Sequence, residues 1–256
     1  PNMHLLLACR RFDIEKDNRL RELVSEYGLA EEVNVKPFTA DGVKEVLGKL
    51  GCRASDYSDR QIELLQLPLH LALFAEVISK SEDMSFDFNT SVDIFDEYWD
   101  RKRQAVSFRL GLRENQWVPV LDRLCDKMTQ RQTLFVAEAL VLDDYAETVR
   151  AMESEHVLVL DCGNLGFFHE GFFDYVFARR FTALDRDLIH YLKDGEQGLF
   201  KRAPLRQILL HVHAMDHGDF VNKLQQIILD SSIRFHLRRC AIEVASKVEC
   251  ATSELW

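Results

Sequence analysis

Apolar residues recur every three or four positions over most of the chain, and this period constrains the fold more than any other feature. Only 5 prolines and 11 glycines interrupt the 256 residues, so long helices can form almost throughout. Because 47% of the residues are hydrophobic, the chain can bury a substantial core and is not disordered. The pattern therefore predicts a mainly α protein of one large domain or a few small ones.

The net charge of −10 argues against non-specific polyanion binding as the main activity, while a local basic patch stays open. No apolar run approaches the roughly 18 residues that a membrane span requires, and the opening residues have no signal-peptide pattern. The six cysteines occur singly, without a CxxC pair, which suits a reducing compartment. We therefore expect a cytoplasmic protein with no membrane partner and no metal site.

The first stretch, residues 1–38, resembles the end of a larger α/β domain. His4–Cys9 is a continuous apolar run of the kind found in buried parallel strands. A helical pattern follows, and Glu32–Val35 is the candidate second strand, which completes a βαβ unit. Two strands make a marginal sheet, so we expect further strands upstream of Pro1 or from another chain.

The apolar pattern of residues 39–91 predicts a helical domain. Ser58 or Asp59 caps a long apolar-periodic pattern over Arg60–Ser79. Pro68 lies inside this pattern, where a proline removes a hydrogen bond and clashes with the preceding turn. We therefore expect the helix to break there and a new helix to begin at Pro68.

Residues 92–183 predict a winged-helix domain, because several helices precede a two-stranded hairpin. The expected order is a helix around Ile94–Val106, one around Trp117–Met128, one from Val136 or Leu142 to Met152, strands Val157–Leu160 and Leu165–Phe168, and a helix over Glu170–Phe181. The last stretch, residues 184–256, carries short helical patterns close together around Leu205–Met215, Phe220–Leu229 and Ile233–Ser246. These patterns are typical of the stacked hairpins of an α-solenoid.

No segment of the chain has the GxxxxGK[ST] loop that cradles nucleotide phosphates. Val157–Asp161, four apolar residues and an aspartate, has the pattern of a Walker B strand, but the turn residues that follow favour a wing strand. There is no GxSxG motif and no other nucleophile–base arrangement. The sequence therefore predicts no catalytic residue.

Two positions are candidates for binding an anion. Arg10 and Arg11 follow the apolar strand directly, at the end of the strand where open α/β sheets bind ligands. His169 lies between a predicted strand and a helix N-terminus, where an imidazole and the helix dipole favour negative charge. The alternatives are a surface arginine pair and a histidine that packs at the junction.

Two further groups of residues could bind a ligand, but for each we favour the interpretation as ordinary surface residues. His213 and His217, with Asp216 beside them, have a metal-ligand spacing, but a histidine pair without a third committed ligand is usually an ordinary surface feature. The stretch Trp99–Arg113 carries five basic residues and could contact nucleic acid, but in so acidic a chain a solvated helix face is the simpler interpretation.

Three landmarks in order resemble those of the NACHT-like STAND NTPases, a signal-transduction branch of the AAA+ P-loop ATPases. HLLLACRRF at residues 4–12 resembles the sensor 1 strand, which usually ends in T-S-R-P. LLQLPLHL at residues 64–71 resembles the L-x-x-P-hydrophobic-x-L motif of the helical domain, and FHEGFFDYVFA at residues 168–178 resembles the winged-helix motif F-x-H-x-S-F-x-E-Y-x-x-A.

The resemblance implies three nucleotide-binding residues. Arg10 matches the sensor 1 arginine near the terminal phosphate, Pro68 matches the proline that packs near the adenine, and His169 matches the histidine that contacts the diphosphate of ADP. The residues around Arg10 depart from the usual T, S and P, and Gly171 and Asp174 replace the usual Ser and Glu.

The resemblance also implies a function, that of a fragment of a nucleotide switch. ATP or ADP with Mg²⁺ is the implied cofactor, bound by the intact parent protein, whose Walker A and Walker B segments we expect upstream of Pro1. This chain alone should not hydrolyse ATP. In such proteins an unknown ligand is sensed by C-terminal repeats, and opening leads to a homo-oligomer that signals, with bacterial defence or innate immunity as the implied setting.

Other function classes stay open at this level. The chain could be a winged-helix module that binds nucleic acid, or a helical scaffold without a nucleotide role. Salt-dependent DNA binding would favour the first class. Wide separation of Arg10, Pro68 and His169 in space would favour the second. A stand-alone enzyme is the least favoured class.

Overall fold

In the computed structural model, residues 33–79, 86–111 and 116–248 are described, together with the single residue 22. The chain divides into two compact units, residues 1–37 and 38–256. The predicted strands and helix of the first unit, including Arg10, lie outside the described residues, so the βαβ unit stays a prediction. Of this unit the described segment 33–37 has no regular secondary structure and is exposed.

The second unit is mainly helical, as the sequence predicts, and contains one small antiparallel sheet. Its elements in chain order are α1 (Ala40–Lys49), α2 (Asp59–Leu65), α3 (Pro68–Ser79), α4 (Ser91–Arg109), α5 (Trp117–Arg131), β1 (Phe135–Ala137), α6 (Ala139–Ser154), β2 (Leu158–Asp161), β3 (Asn164–Phe167), α7 (Glu170–Ala183), α8 (Leu188–Lys193), α9 (Arg202–Met215), α10 (His217–Leu229) and α11 (Phe235–Ala245). Short 3₁₀ turns lie at Ala54–Asp56 and Leu199–Lys201.

The break predicted at Pro68 is present. Ser58 caps α2 in a reciprocal capping box with Gln61, and the helix ends at Leu65. The next helix begins at Pro68, where the missing N–H costs nothing because the first helical position has no intrahelical acceptor for it. The axes of α2 and α3 differ by 104°, so the single periodic pattern becomes two helices with a sharp bend.

The predicted hairpin is also present, and a third strand joins it. The strand order is β1–β3–β2, with both pairs antiparallel. Cys162 and Gly163 both have positive φ at the β2–β3 turn, the geometry of a tight hairpin. The sequence missed β1: a helix was predicted from Val136 or Leu142, whereas Phe135–Ala137 pairs with β3 and the helix begins at Ala139.

α7 lies at the centre of the unit. Its buried residues include four phenylalanines and Tyr175, and this helix packs on α9, α5, α4 and β3. Arg180 forms a two-pronged ion pair with Asp122 of α5, at 2.5 and 2.8 Å. Arg179 and the hydroxyl of Tyr175 both donate to Asp96 of α4. These contacts hold α7 against the two helices that precede the sheet.

The three last helices α9, α10 and α11 pack against one another, and α9 rests on α7. Among the described residues no single helix is long and apolar enough to cross a membrane, although the sharply bent pair α2 and α3 would meet the length and composition test together.

Candidate functional site

His169 is the N-cap of α7. Its Nδ1 accepts a hydrogen bond from the backbone N–H of Gly171 at 2.9 Å, a role that serine, threonine or aspartate usually fills. Because Nδ1 is an acceptor here, the proton of the neutral ring resides on Nε2. The side chain is exposed, and Nε2 has no hydrogen-bond partner among the described residues. The imidazole therefore presents a free N–H donor beside the positive end of a helix dipole, a suitable arrangement for an anion.

Pro68 is the exposed first residue of α3. The following residue, Leu69, lies against the start of α7: a Cβ atom added to Gly171 would come within 2.7 Å of Leu69 Cδ2. The same Cβ would lie 3.2 Å from His169 Nδ1. The N-termini of α3 and α7, which are far apart in the sequence, therefore meet in the folded chain.

Of the three nucleotide-binding candidates, Pro68 precedes the residue that lies against the turn capped by His169, while Arg10 lies outside the described residues. The sequence analysis treated Gly171 only as a departure from a motif. Its position explains the residue, because the methyl group of Leu69 occupies the space that a larger side chain would require. A glycine in the first turn of an otherwise apolar helix was the available sequence signal.

Burial changes the pKa of His70, the histidine of α3. The Nδ1–H of His70 donates to the carbonyl oxygen of Leu64 at 2.8 Å, and the ring packs edge-on against Phe95 of α4. Desolvation lowers the pKa of His70, and the hydrogen bond to Leu64 opposes part of that effect. The residue anchors the bend that positions Pro68.

The predicted Walker B-like run lies in the hairpin. Leu158–Asp161 is β2, and Asp161 pairs across the turn with Asn164. The run is therefore a strand of the β2–β3 hairpin that ends in a turn.

The basic stretch on α4 is neutralised within the chain. Arg101 pairs with Glu97 at 2.6 Å, and Arg103 lies 3.8 Å from Asp100. Ion pairs also occupy the other two described basic residues: Lys102 with Glu76, and Arg109 with Glu155. Arg113 lies outside the described residues. The described part of this stretch therefore offers little uncompensated charge to a phosphate backbone.

His213 and His217 have ring centroids 5.8 Å apart, but they belong to different helices. Asp216, the residue expected to assist them, caps α10 by accepting from the N–H of Asp219. Burial, then His217 and Arg60, lowers the pKa of His213. Within the described ranges no group of three or more His, Cys, Asp or Glu side chains has the geometry to hold a metal ion.

Comparison with models of known protein families gives no match, and comparison with curated proteins also gives none.

Proposed function

We propose that this chain is the C-terminal half of the core of a STAND-type nucleotide switch, with a winged-helix domain and the start of a helical-repeat region. The contact between the first turns of α3 and α7 supports the proposal, because Leu69, which follows Pro68, lies against Gly171 in the turn that His169 caps.

The order of elements supports the winged-helix part of the proposal. α5, β1, α6 and the β2–β3 hairpin follow one another, and α6 is divided by non-helical backbone at Tyr145. The chain thus runs helix, strand, two short helices at an angle, and then two strands. The packing of α9, α10 and α11 on one another supports the repeat-like tail.

The residues present fit a nucleotide diphosphate at the α3–α7 junction. His169 would hold the diphosphate through Nε2–H, and Pro68 would lie near the base. Arg10 is the proposed contact for a terminal phosphate. ATP or ADP with Mg²⁺ would supply the phosphate charge that distinguishes the two states of such a switch. An Nε2 contact made in one state alone would bias the protein towards that state.

The first experiment is to isolate the native protein from its own source and measure its intact mass and bound nucleotide. We expect a mass well above the 29.8 kDa of this chain, and co-purified ADP. A mass near 29.8 kDa without nucleotide would replace this proposal with a scaffold or nucleic-acid-binding module.

In that protein, His169→Ser tests the contact directly. Serine keeps the helix cap, so stability should be unchanged within about 0.5 kcal/mol, but it removes the Nε2 donor. We expect most of the bound ADP to be lost. The signalling activity of the switch without its sensed ligand should rise. His190→Ser, at an exposed histidine on α8, is the matched control and should retain ADP. Equal ADP retention in the two variants would contradict the role of His169.

A further inference from the structure

The C-terminal helices have a charge opposite to that of the whole chain. Residues 201–248 contain eight Lys or Arg and four Asp or Glu residues, in a protein whose net charge is −10. Three of these arginines, Arg234, Arg238 and Arg239, lie at the start of α11 or within it. An excess of positive charge in the last three helices of an acidic protein favours a local partner of negative charge.

A single carboxylate pairs with three of these eight cations. Glu243 lies 3.0 Å from Arg202, 3.8 Å from Arg206 and 2.9 Å from Arg239. Arg238 has no ion pair among the described residues, and its Nε is buried without a hydrogen bond. The charge of Arg238 is therefore not compensated by a carboxylate within the described ranges, and a carboxylate of a partner would compensate it.

The same helix is apolar on two opposite sides. Leu237, Cys240, Ala241 and Val244 are buried against the rest of the unit. Phe235 and Ile242 point away from them and are 70% and 46% exposed. Because these two residues are seven positions apart and each residue advances about 100°, they form one stripe, with Arg238 on one side and Arg239 on the other. Exposed aromatic and aliphatic side chains flanked by arginines are typical of an interaction surface.

We propose that the outer face of α11, formed by Phe235, Arg238, Arg239 and Ile242, binds an acidic amphipathic helix of a partner protein. The two apolar anchors are two helical turns apart, which matches residues i and i+7 of a docked helix. A carboxylate on the flank of that helix would meet Arg238, while Arg239 on the other flank already pairs with Glu243. This inference is independent of the nucleotide switch.

Charge and geometry favour this occupant over two others. A second copy docked antiparallel through the same stripe would bring Arg238 against the partner copy's arginines, which like-charge repulsion disfavours. A phosphate backbone would find charge on the flanks, but the centre of the stripe is Phe235 and Ile242, which offer it no donor.

The test uses the full 256-residue chain and a fluorescein-labelled 18-residue helical peptide with a leucine stripe flanked by glutamates. We expect anisotropy to show saturable binding that weakens with salt. Arg238→Glu and Phe235→Ser should each weaken it about tenfold. Arg150→Glu, at an exposed arginine of α6, should change affinity less than twofold. Amide exchange should be slowed in α11 by the bound peptide.

Several results would overturn the proposal. One is equal binding of a peptide with lysine in place of glutamate. Others are affinity that Arg238→Glu and Phe235→Ser leave unchanged, or exchange protection elsewhere than α11. Tighter binding to duplex DNA or to vesicles of phosphatidylserine and phosphatidylcholine, or a concentration-dependent dimer that Phe235→Ser dissolves, would assign the surface to a different occupant. Both substituted side chains are at least partly exposed, and circular dichroism should show unchanged folding.

Discussion

At the scale of single residues, His169 combines an observed structural role with the binding role that we propose for it. Its Nδ1 satisfies an N–H group at the start of α7, and that bond sets the tautomer that leaves a donor at Nε2. Replacement by serine separates the two roles, because serine can cap a helix but cannot reach as far. The neighbouring Gly171 serves a steric role, since Leu69 occupies the space beside it.

Gly171→Ala should destabilise the protein by about 1 kcal/mol, because the new methyl group meets Leu69. In a Leu69→Ala background the same substitution should instead stabilise by up to about 1 kcal/mol, since alanine is the better helix former. Urea denaturation of the four proteins measures both values. Gly48→Ala in α1, which has open space around it, is the control and should stabilise in either background. If Gly171→Ala destabilised the protein in both backgrounds, the contact with Leu69 would not be the cause of the destabilisation.

At the scale of elements, the α2–α3 bend results from one proline and one histidine. Pro68 has no N–H for the carbonyl of Leu64, four residues earlier, so a continuous helix would leave that carbonyl without its usual partner. The Nδ1–H of His70 supplies the missing donor. The bend in turn directs the start of α3 towards α7, so a local substitution of one hydrogen bond for another places the candidate site.

His70 should also make stability depend on pH. Burial lowers its pKa from the ordinary value near 6.5, so the unfolded state binds protons more readily than the folded state does. The stability is therefore fully present above about pH 6.5 and decreases as the pH falls below it. His70→Gln keeps a donor without a titrating group, and thermal melts between pH 5.5 and 7.5 should show a smaller slope than in the native chain.

Some slope should remain in His70→Gln, because burial also lowers the pKa of His211. His70→Phe should lose about 1–3 kcal/mol at all pH values, since the Leu64 carbonyl then has no partner. Identical pH slopes in the native chain and His70→Gln would contradict this account.

At the scale of the whole molecule, buried charge links segments that are distant in the sequence. Lys102 of α4 is only 4% exposed, and its Nζ donates to Glu76 of α3 at 2.8 Å and to the Glu155 carbonyl at 2.7 Å. One ammonium group therefore connects the helix that carries Pro68 with the end of α6. Arg109 of α4 binds the side chain of Glu155 as well, so two basic residues connect α4 with the end of α6.

Lys102→Met should cost about 2 kcal/mol, because the Glu155 carbonyl loses the Nζ donor and Glu76 loses its ion pair with Lys102. The matched control on the same helix is Arg103→Met, whose half-exposed 3.8 Å pair should contribute less than about 0.5 kcal/mol. Chemical denaturation at neutral pH measures both. Equal stability of the two variants would show that the connection through Lys102 is not important for the fold.

Features that depend on a few consecutive residues could be predicted from the sequence alone. The α2 cap at Ser58, the break at Pro68 and the β2–β3 turn at Cys162–Gly163 belong to this kind. A cap, a missing N–H or a positive φ is determined within one turn of chain, so residue type and helical period are sufficient.

Tertiary structure alone decided the rest, because those features depend on residues that become neighbours only after folding. β1 has three residues and exists through its pairing with β3, so its local pattern was mistaken for a helix. The contact of Leu69 with Gly171 and the burial of Lys102 are likewise set by packing between distant elements. Composition showed an acidic chain, but ion pairing determined that α4 is neutralised while α11 retains an arginine without a partner among the described residues.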